Sequence, residues 1–502
     1  MRHFLAIDLG TSAVKVALFD EAGTRLGLAI EEYALLTPAA DFCEVPAPTF
    51  WDNFKTGLKK VLAESGVAPA AITAVGFSSQ GETFVPVDRA GQPLCNAISW
   101  LDNRASVQAD HLAEQFARAE VYHTTGQPDI APIWPAAKML WLRDNAPDVF
   151  ANTHKYLMAE DYLIYRLSGE FASEHSVYSS SLLLDIHTRE WWPAMLGFVG
   201  IGPEHLPTLS PSGTVVGRIC DVAAKETGLS TDTLVVTGAY DHAAGSIGAG
   251  VTHTGLMSET TGSSMAICAP VDAPMFDPQM RVPVHCHAIA EKYFLSPWGE
   301  TAGMVLKWFR DQFGAEEIAA AGENGAFELL GDLAATVPAG SDGLMMLPFL
   351  AGTGCPEMDA DARGVFFGMS LQHGKPHFVR SIMESVAYMI ARNVEIMRDL
   401  GMGVDEIRSL GGGARSDLWC QIKADAMGVR VAVVEETEQA LRGAAILAGV
   451  GAGALADLKT ASRDMVAIRN VYEPDPANAA VYAAGLAKYD AIYDALKPLF
   501  KS

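Results

Sequence analysis

Basic residues are the scarce class in this sequence. Thirty-six Lys and Arg stand against 60 Asp and Glu, for a formal net charge of −24 over 502 residues. Nucleic acid is thereby disfavoured as a partner, since its phosphate backbone would meet a repulsive field. An anionic ligand would need a local site of backbone donors, a few cations and a metal ion. Cysteine is also sparse. Cys43, Cys95, Cys220, Cys268, Cys286, Cys355 and Cys420 are odd in number, scattered and free of any CxxC pair. That argues against a disulfide framework and for reduced thiols in a cytoplasmic compartment. No run of 18 apolar residues occurs, so no membrane span is expected. Asp8 interrupts the short apolar stretch at the start, so no signal peptide is expected either. A Walker A loop and a GxGxxG fingerprint are both missing.

What is present describes a well-buried globular protein, 49% apolar and 19% charged, long enough for two to four domains. Phe4 to Ile7 read as a buried strand, and Val14 to Phe19 resume one. The turn between them is Asp8-Leu9-Gly10-Thr11-Ser12. A carboxylate beside a Gly-hydroxyl turn supplies what Mg²⁺ and a polyphosphate require, a hard oxygen ligand and several donors. The plain alternative is a hairpin turn.

Strands and helices then alternate. A helix is expected from Thr49 as N-cap, then a strand over 71–78, short strands over 85–88 and 97–100, and helices over 135–142 and 159–167. A strand over 234–237 runs into Gly238-Ala239-Tyr240-Asp241-His242 and a small-residue helix. Near residue 255 the pattern restarts. Two apolar segments flank Thr260-Thr261-Gly262-Ser263-Ser264, a second hairpin of the same kind. The repetition predicts two α/β domains, 1–248 and 249–502, with a cleft between them. A helix over 375–400, strands over 407–410 and 430–434, a helix over 441–449 and a terminal helix over 477–499 complete the second half.

Gly411-Gly412-Gly413, between a strand and a helix, allows backbone to approach a ligand closely, although one glycine would suffice for a turn. Asp241 at a strand end reads either as a helix N-cap or as a carboxylate facing a cleft. Glu82 sits in a polar cluster at another strand end. His285-Cys286-His287 invites a metal reading, but no partner ligands at zinc spacing accompany it, so it is read as structural. Trp191-Trp192 reads as a packed surface element.

Taken in order, these segments resemble the FGGY carbohydrate kinases of the actin-like ATPase superfamily, over nearly the whole chain. The resemblance is strongest in Gly364-Val365-Phe366-Phe367-Gly368-Met369 through Glu384. It is supported by DLGTSAVKVALFD, YDHAAG, TTGSS, LGGGARSDLW and ALRGAAILAG. Within the family the sequence resembles the xylulokinases in particular, through DLGTS, GEFAS (Gly169 to Ser173), GVFFG and GGGARS. The resemblance implies two actin-like (ribonuclease H-like) ATPase domains, with ATP and Mg²⁺ as cofactors. It implies Asp241 as catalytic base and Asp8 as the Mg²⁺ carboxylate, with Asp241 as a second candidate ligand. It assigns Gly10, Thr11, Ser12 and Lys15 to the first phosphate loop and Gly262 and Ser263 to the second. Gly303, Gly412, Gly413 and Asp417 would contact the nucleotide. Gly81, Glu82, Trp100, Asp102, Arg104 and His242 would bind substrate.

Departures bear on the substrate. Xylulokinases carry Gln-Met-His-Gly where this chain has Gln80-Gly81-Glu82-Thr83, which is closer to the Gln-Arg-Glu-Thr of glycerol kinases. His242 replaces an Asn or Gln, and Gly352-Thr353-Gly354-Cys355-Pro356 replaces Gly-Glu-Arg-Thr-Pro. The expected activity is transfer of the γ-phosphoryl of ATP to a primary hydroxyl of a small sugar, a ketopentose such as D-xylulose. The alternatives are a glycerol-like polyol or another keto sugar and, remotely, an actin-like ATPase without a sugar. Expected partners are the sugar and ATP, without nucleic acid or membrane. Oligomeric state is open, with a homodimer carried forward.

Overall fold

The computed structural model describes residues 2–501. Its first sheet has seven strands, in the order Val215–Arg218, Leu234–Val236, Ile72–Ser79, His3–Leu9, Ala13–Asp20, Arg25–Glu32, with Ala239–Tyr240 also paired to Ile72–Ser79. His3–Leu9 runs antiparallel to Ala13–Asp20, with Asp8 opposite Lys15, and parallel to Ile72–Ser79, with Asp8 opposite Ser78. The strands read as unbroken apolar runs because both faces are covered. Leu5, Ile7, Val14, Val16 and Leu18 pack on Phe50, Phe54, Leu58 and Val61 of the helix Pro48–Ser65. The alternate residues Phe4, Ala6, Ala17 and Phe19 pack on Leu441, Ala444, Ala445 and Ala448 of the helix Gln439–Gly451. Period-two alternation thus assigns each strand residue to one helix.

The second sheet has eight strands, in the order Val284–Cys286, Tyr293–Leu295, Met265–Val271, Leu256–Thr261, Glu406–Leu410, Arg430–Val434, Ile468–Tyr472, with Trp298–Gly299 on Met265–Val271. Its centre repeats the first: a hairpin, Leu256–Thr261 against Met265–Val271, with a parallel strand, Glu406–Leu410, beside it. The 25-residue helix Lys375–Asp399 is buried along most of its length. The terminal helix Pro476–Phe500 turns Tyr482, Leu486, Tyr489, Ile492 and Tyr493 inward.

Among the contacts that join the halves are two crossings that only glycine permits. The helix Asp241–Gly248 crosses Gln439–Gly451 at glycines: a Cβ on Gly248 would strike the Gln439 carbonyl, and one on Gly443 the Ala244 carbonyl. The helix Arg118–Thr125 and the glycine after it meet the edge of the second sheet, where Tyr122 donates to the Val282 carbonyl at 2.7 Å and the Val284 N–H to the Gly126 carbonyl at 2.9 Å. Gly126 has φ +79°, and a Cβ there would overlap the Val284 carbonyl, so only glycine fits this crossing.

Two local expectations change. The first long helix begins at Pro48, with Ala47 in the cap position, so Thr49 lies inside the first turn rather than capping it. Proline's fixed φ suits the first helical position and moves the start forward. The strand expected over 97–100 stops at Ile98, because the Trp100 N–H turns to the Thr83 hydroxyl. Among the described residues no helix is long and apolar enough to cross a membrane.

Candidate active site

Two cavities meet at Asp241 and His242. One, of about 420 Å³, is lined by Asp8, Gly10 and Lys15 from the first half and by Gly262, Gly411 and Gly412 from the second. The other, of about 250 Å³, lies between Thr11, Glu82 and Trp100 on one side and Ser264, His285 and Ser296 on the other.

Asp241 is the first residue of its helix, with Tyr240 in the cap position, so its side chain is not used as a cap. Its Oδ1 is buried without a hydrogen-bond partner, 3.6 Å from His242 Nε2. An unpartnered buried oxygen costs on the order of 1–3 kcal/mol until a ligand or water completes it. Asp8 lies across the larger cavity. Its Oδ1 accepts from the Ser78 hydroxyl at 2.7 Å, and its Oδ2 is 3.8 Å from Lys15 Nζ. Burial pushes the Asp8 carboxyl up to about 6 against the pull of Lys15. Burial draws Lys15 down, but Asp8 and Glu438 outweigh it and leave the ammonium raised. The 2.8 Å pair of Lys15 with Glu438 bridges the two halves.

In the smaller cavity, Glu82 has φ +58° and a buried side chain. A left-handed non-glycine residue is strained and persists only where its surroundings over-determine it. Here neighbouring Gly81 leaves room for Ser180 and Tyr240, which a Cβ would meet at 2.6 and 2.9 Å. Burial raises the Glu82 carboxyl to about 7, with Ser180 and Lys138 opposing. Lys138 is fully buried, donates to the Ser99 carbonyl at 2.7 Å, and is lowered to about 7 by burial.

Several expected residues stand behind the cavities instead of lining them. Asp102 and Arg104 do not face the smaller cavity. Arg104 pairs with Asp102 at 2.7 Å and Glu44 at 2.6 Å, and its guanidinium lies 3.8 Å from the Phe42 ring centroid. Asp102 also accepts the Cys43 N–H at 2.6 Å. Their charges satisfy each other, and together they brace the wall that carries Trp100. Gly303 opens the helix Gly303–Phe313 and donates its N–H to the Gly262 carbonyl at 2.8 Å, while the Ser263 carbonyl accepts from Ala302 and Met304. These three N–H groups, from Ala302, Gly303 and Met304, fix the second hairpin tip from behind. Gly413 packs against Thr261, where a Cβ would come within 2.7 Å. Asp417 accepts from the Tyr472 hydroxyl at 2.5 Å, outside the cavity lining. Ser12 is exposed at its turn.

Beneath that hairpin Lys423 and Glu259 form a fully buried pair at 2.6 Å, joined by the hydroxyls of Thr261 and Ser409. It ties the hairpin to the glycine turn. Sequence reasoning missed this pair, as well as Arg415 and Arg469 on the larger cavity and Gln127, Tyr240, Trp298, Glu300 and His285 on the smaller one. His285, read above as structural, lines the smaller cavity, while His287 Nε2 lies 3.1 Å from the Ser246 hydroxyl. The i, i+2 spacing puts both rings against Phe294. Among the described residues no group of three or more His, Cys, Asp or Glu is arranged to hold a metal by itself.

The arrangement has close counterparts. The family model for the N-terminal domain of the FGGY carbohydrate kinases matches residues 3–248, and that for the C-terminal domain residues 260–452. A xylulose kinase of Staphylococcus epidermidis is 30% identical over 99% of this chain and 97% of its own length. A gluconokinase of Bacillus licheniformis is 30% identical over 96% of this chain and 93% of its own. The crystal structure of a ligand-bound xylulose kinase from Lactobacillus acidophilus superposes with a TM-score of 0.91 at 26% identity, covering 99% of each chain.

Proposed function

Because the chain belongs to the FGGY family of carbohydrate kinases, we propose that it transfers the γ-phosphoryl group of ATP to a primary hydroxyl of an uncharged small sugar, a ketopentose such as D-xylulose. The observation that carries this reading is the buried, unpartnered carboxylate oxygen of Asp241, where the two cavities join.

Phosphoryl transfer needs positioning and charge neutralisation more than covalent help from the protein. The larger cavity offers Lys15, Arg415, Arg469 and glycine-rich backbone to the phosphates and the base. Asp241 accepts the proton of the attacking hydroxyl, a contribution of about 10²–10⁴-fold. Glu82 and Trp100 hold the acceptor and exclude water from it. Asp8 and Asp241, two carboxylates on one cavity, suit Mg²⁺, which takes one or two carboxylates and completes its shell with water and phosphate. When bound, the ion would offset phosphate charge. The seven free thiols fit a cytoplasmic location.

The preference for an uncharged sugar rests on the lining of the smaller cavity. Glu82, Asp241 and Glu300 face it, and among the described residues no Lys or Arg does. A carboxylate-bearing acceptor such as gluconate would meet the Asp241 and Glu300 carboxylates without a counter-ion. Glu82 and Thr83, in the glycerol-kinase-like order, favour a polyol as the second reading. A coupled ADP-release assay over C3 to C7 keto sugars, polyols and gluconate tests the proposal. Fastest turnover on a ketopentose is expected. ATP hydrolysis at one rate with or without any acceptor would overturn it, and gluconate as the best acceptor would overturn the uncharged class.

A further inference from the structure

The sugar cavity has a second polar pole that the catalytic reading leaves unused. Gln127 and His285 both line it, both are buried, and each keeps one polar atom without a partner: Gln127 Oε1 and His285 Nδ1. Unlike Asp241, neither is needed to activate a hydroxyl.

Their hydrogen-bonding polarity follows from their neighbours. Gln127 Nε2 lies 2.7 Å from the Ser179 carbonyl, which only accepts, so the amide nitrogen must face it. The same nitrogen lies 3.4 Å from His285 Nε2. An amide nitrogen donates, so His285 Nε2 is the accepting nitrogen, and a neutral ring then carries its proton on Nδ1. Burial, reinforced by nearby His242, pushes the His285 imidazole down to about 3, so the ring is neutral throughout the working range. On residues that line the cavity, the pair therefore keeps one uncommitted donor, His285 Nδ1–H, and one uncommitted acceptor, Gln127 Oε1.

The pair is held rigidly. The His285 ring is sandwiched between Tyr240 (centroids 5.5 Å apart, planes 5° apart) and Phe294 (5.0 Å, 27°). Gln127 follows Gly126, whose missing Cβ allows the backbone crossing with Val284. Cys286 N–H is anchored on the Ser179 hydroxyl at 3.0 Å. One residue comes from each half of the chain, and Tyr240 connects their ring stack directly to Asp241.

We propose that Gln127 and His285 are the specificity-determining pair of this cavity and read an α-hydroxy ketone, with His285 Nδ1–H donating to the ketone oxygen and Gln127 Oε1 accepting from the adjoining hydroxyl. This rests on the sugar-kinase reading above and names the feature by which the acceptor is chosen. A ketone oxygen accepts without bringing a proton that needs a home. The corresponding alditol brings an extra O–H into the same place, and a 1-deoxy ketose leaves Gln127 Oε1 unpartnered.

The test compares a ketopentose, its alditol and its 1-deoxy ketose by initial-rate ADP release, with wild type, His285→Phe, His285→Asn and Gln127→Leu. Wild type is expected to favour the ketose over both analogues. In His285→Phe, kcat/KM for the ketose falls about 10- to 100-fold, mainly through KM, and the ketose-to-alditol ratio shrinks towards one. His285→Asn, whose amide nitrogen replaces Nδ1, restores that ratio, which separates lost recognition from a misfolded variant. Gln127→Leu removes the discrimination between ketose and 1-deoxy ketose. Unchanged ratios in His285→Phe and Gln127→Leu would overturn this inference and leave the kinase reading standing. Absence of acceptor-dependent ADP release in wild type would overturn both.

Discussion

Trp100 donates its indole N–H to the Thr11 hydroxyl at 2.9 Å, fastening the wall of the smaller cavity to the turn that closes the first hairpin. The proposed acceptor wall and the proposed phosphate turn therefore share one hydrogen bond. Trp100→Phe keeps the ring and removes the donor. It is expected to lower kcat/KM for the sugar about 3- to 10-fold, from a net hydrogen-bond value of about 0.5–1.5 kcal/mol. It should also raise KM for ATP, because Thr11 loses its fixed rotamer. Steady-state kinetics with each substrate varied in turn would show this. A change in the sugar constant alone would mean that the two loops are not coupled.

Asp241→Asn preserves shape and removes the proton acceptor. Sugar phosphorylation is expected to fall by about 10²–10⁴-fold, while ATP affinity by calorimetry stays within about threefold. Turnover near the wild-type rate would remove Asp241 from the chemistry.

Glu82 has consequences for stability against pH. Its carboxyl lies near 7 in the folded chain against an ordinary 4.5, because burial disfavours the ion. Between those values the unfolded chain has released the proton and the folded chain still holds it, so unfolding becomes easier as pH rises. The contribution is full below about 4.5, falls by something on the order of 3 kcal/mol towards pH 7, and then levels. Asp8, near 6, and Asp161, near 7, act in the same direction. Glu82→Gln is expected to be more stable than wild type at pH 8 and close to it at pH 4, as read by urea denaturation. Parallel curves at both pH values would contradict the assignment.

Lys423→Met would leave Glu259 buried and charged without its counter-ion, an expected loss of about 3–5 kcal/mol. The double variant Lys423→Met with Glu259→Leu should recover most of it, since an apolar pair fills the same place. Chemical denaturation of the three chains measures the cycle. Because the pair supports both the hairpin and the glycine turn, the single variant should also bind ATP more weakly.

How far the sequence discloses this site depends on whether a feature is local. The two hairpins were legible because Gly10 and Gly262 punctuate apolar runs and hydroxyls crowd each tip. Asp241 was legible as a strand-end acid, but only the structure distinguishes its unpartnered oxygen from an N-cap. Asp102 and Arg104 were misplaced because a charged pair near a pocket and one behind it look alike until Glu44 is seen to complete the ion pair. His285 and Gln127 were not legible as a site. Their meeting depends on Gly126 crossing Val284, a long-range contact to which no periodicity in either segment points.

The helix Gln439–Gly451 covers one face of the first sheet although it is encoded near the far end of the chain. A nascent polypeptide emerging from the ribosome must wait with Phe4, Ala6, Ala17 and Phe19 uncovered until residues 439–451 have been made. A fragment ending near residue 248 would inherit the same bare surface for good. Its solubility alone, or its rescue when the remainder is supplied in trans, would report how far one lobe depends on the other.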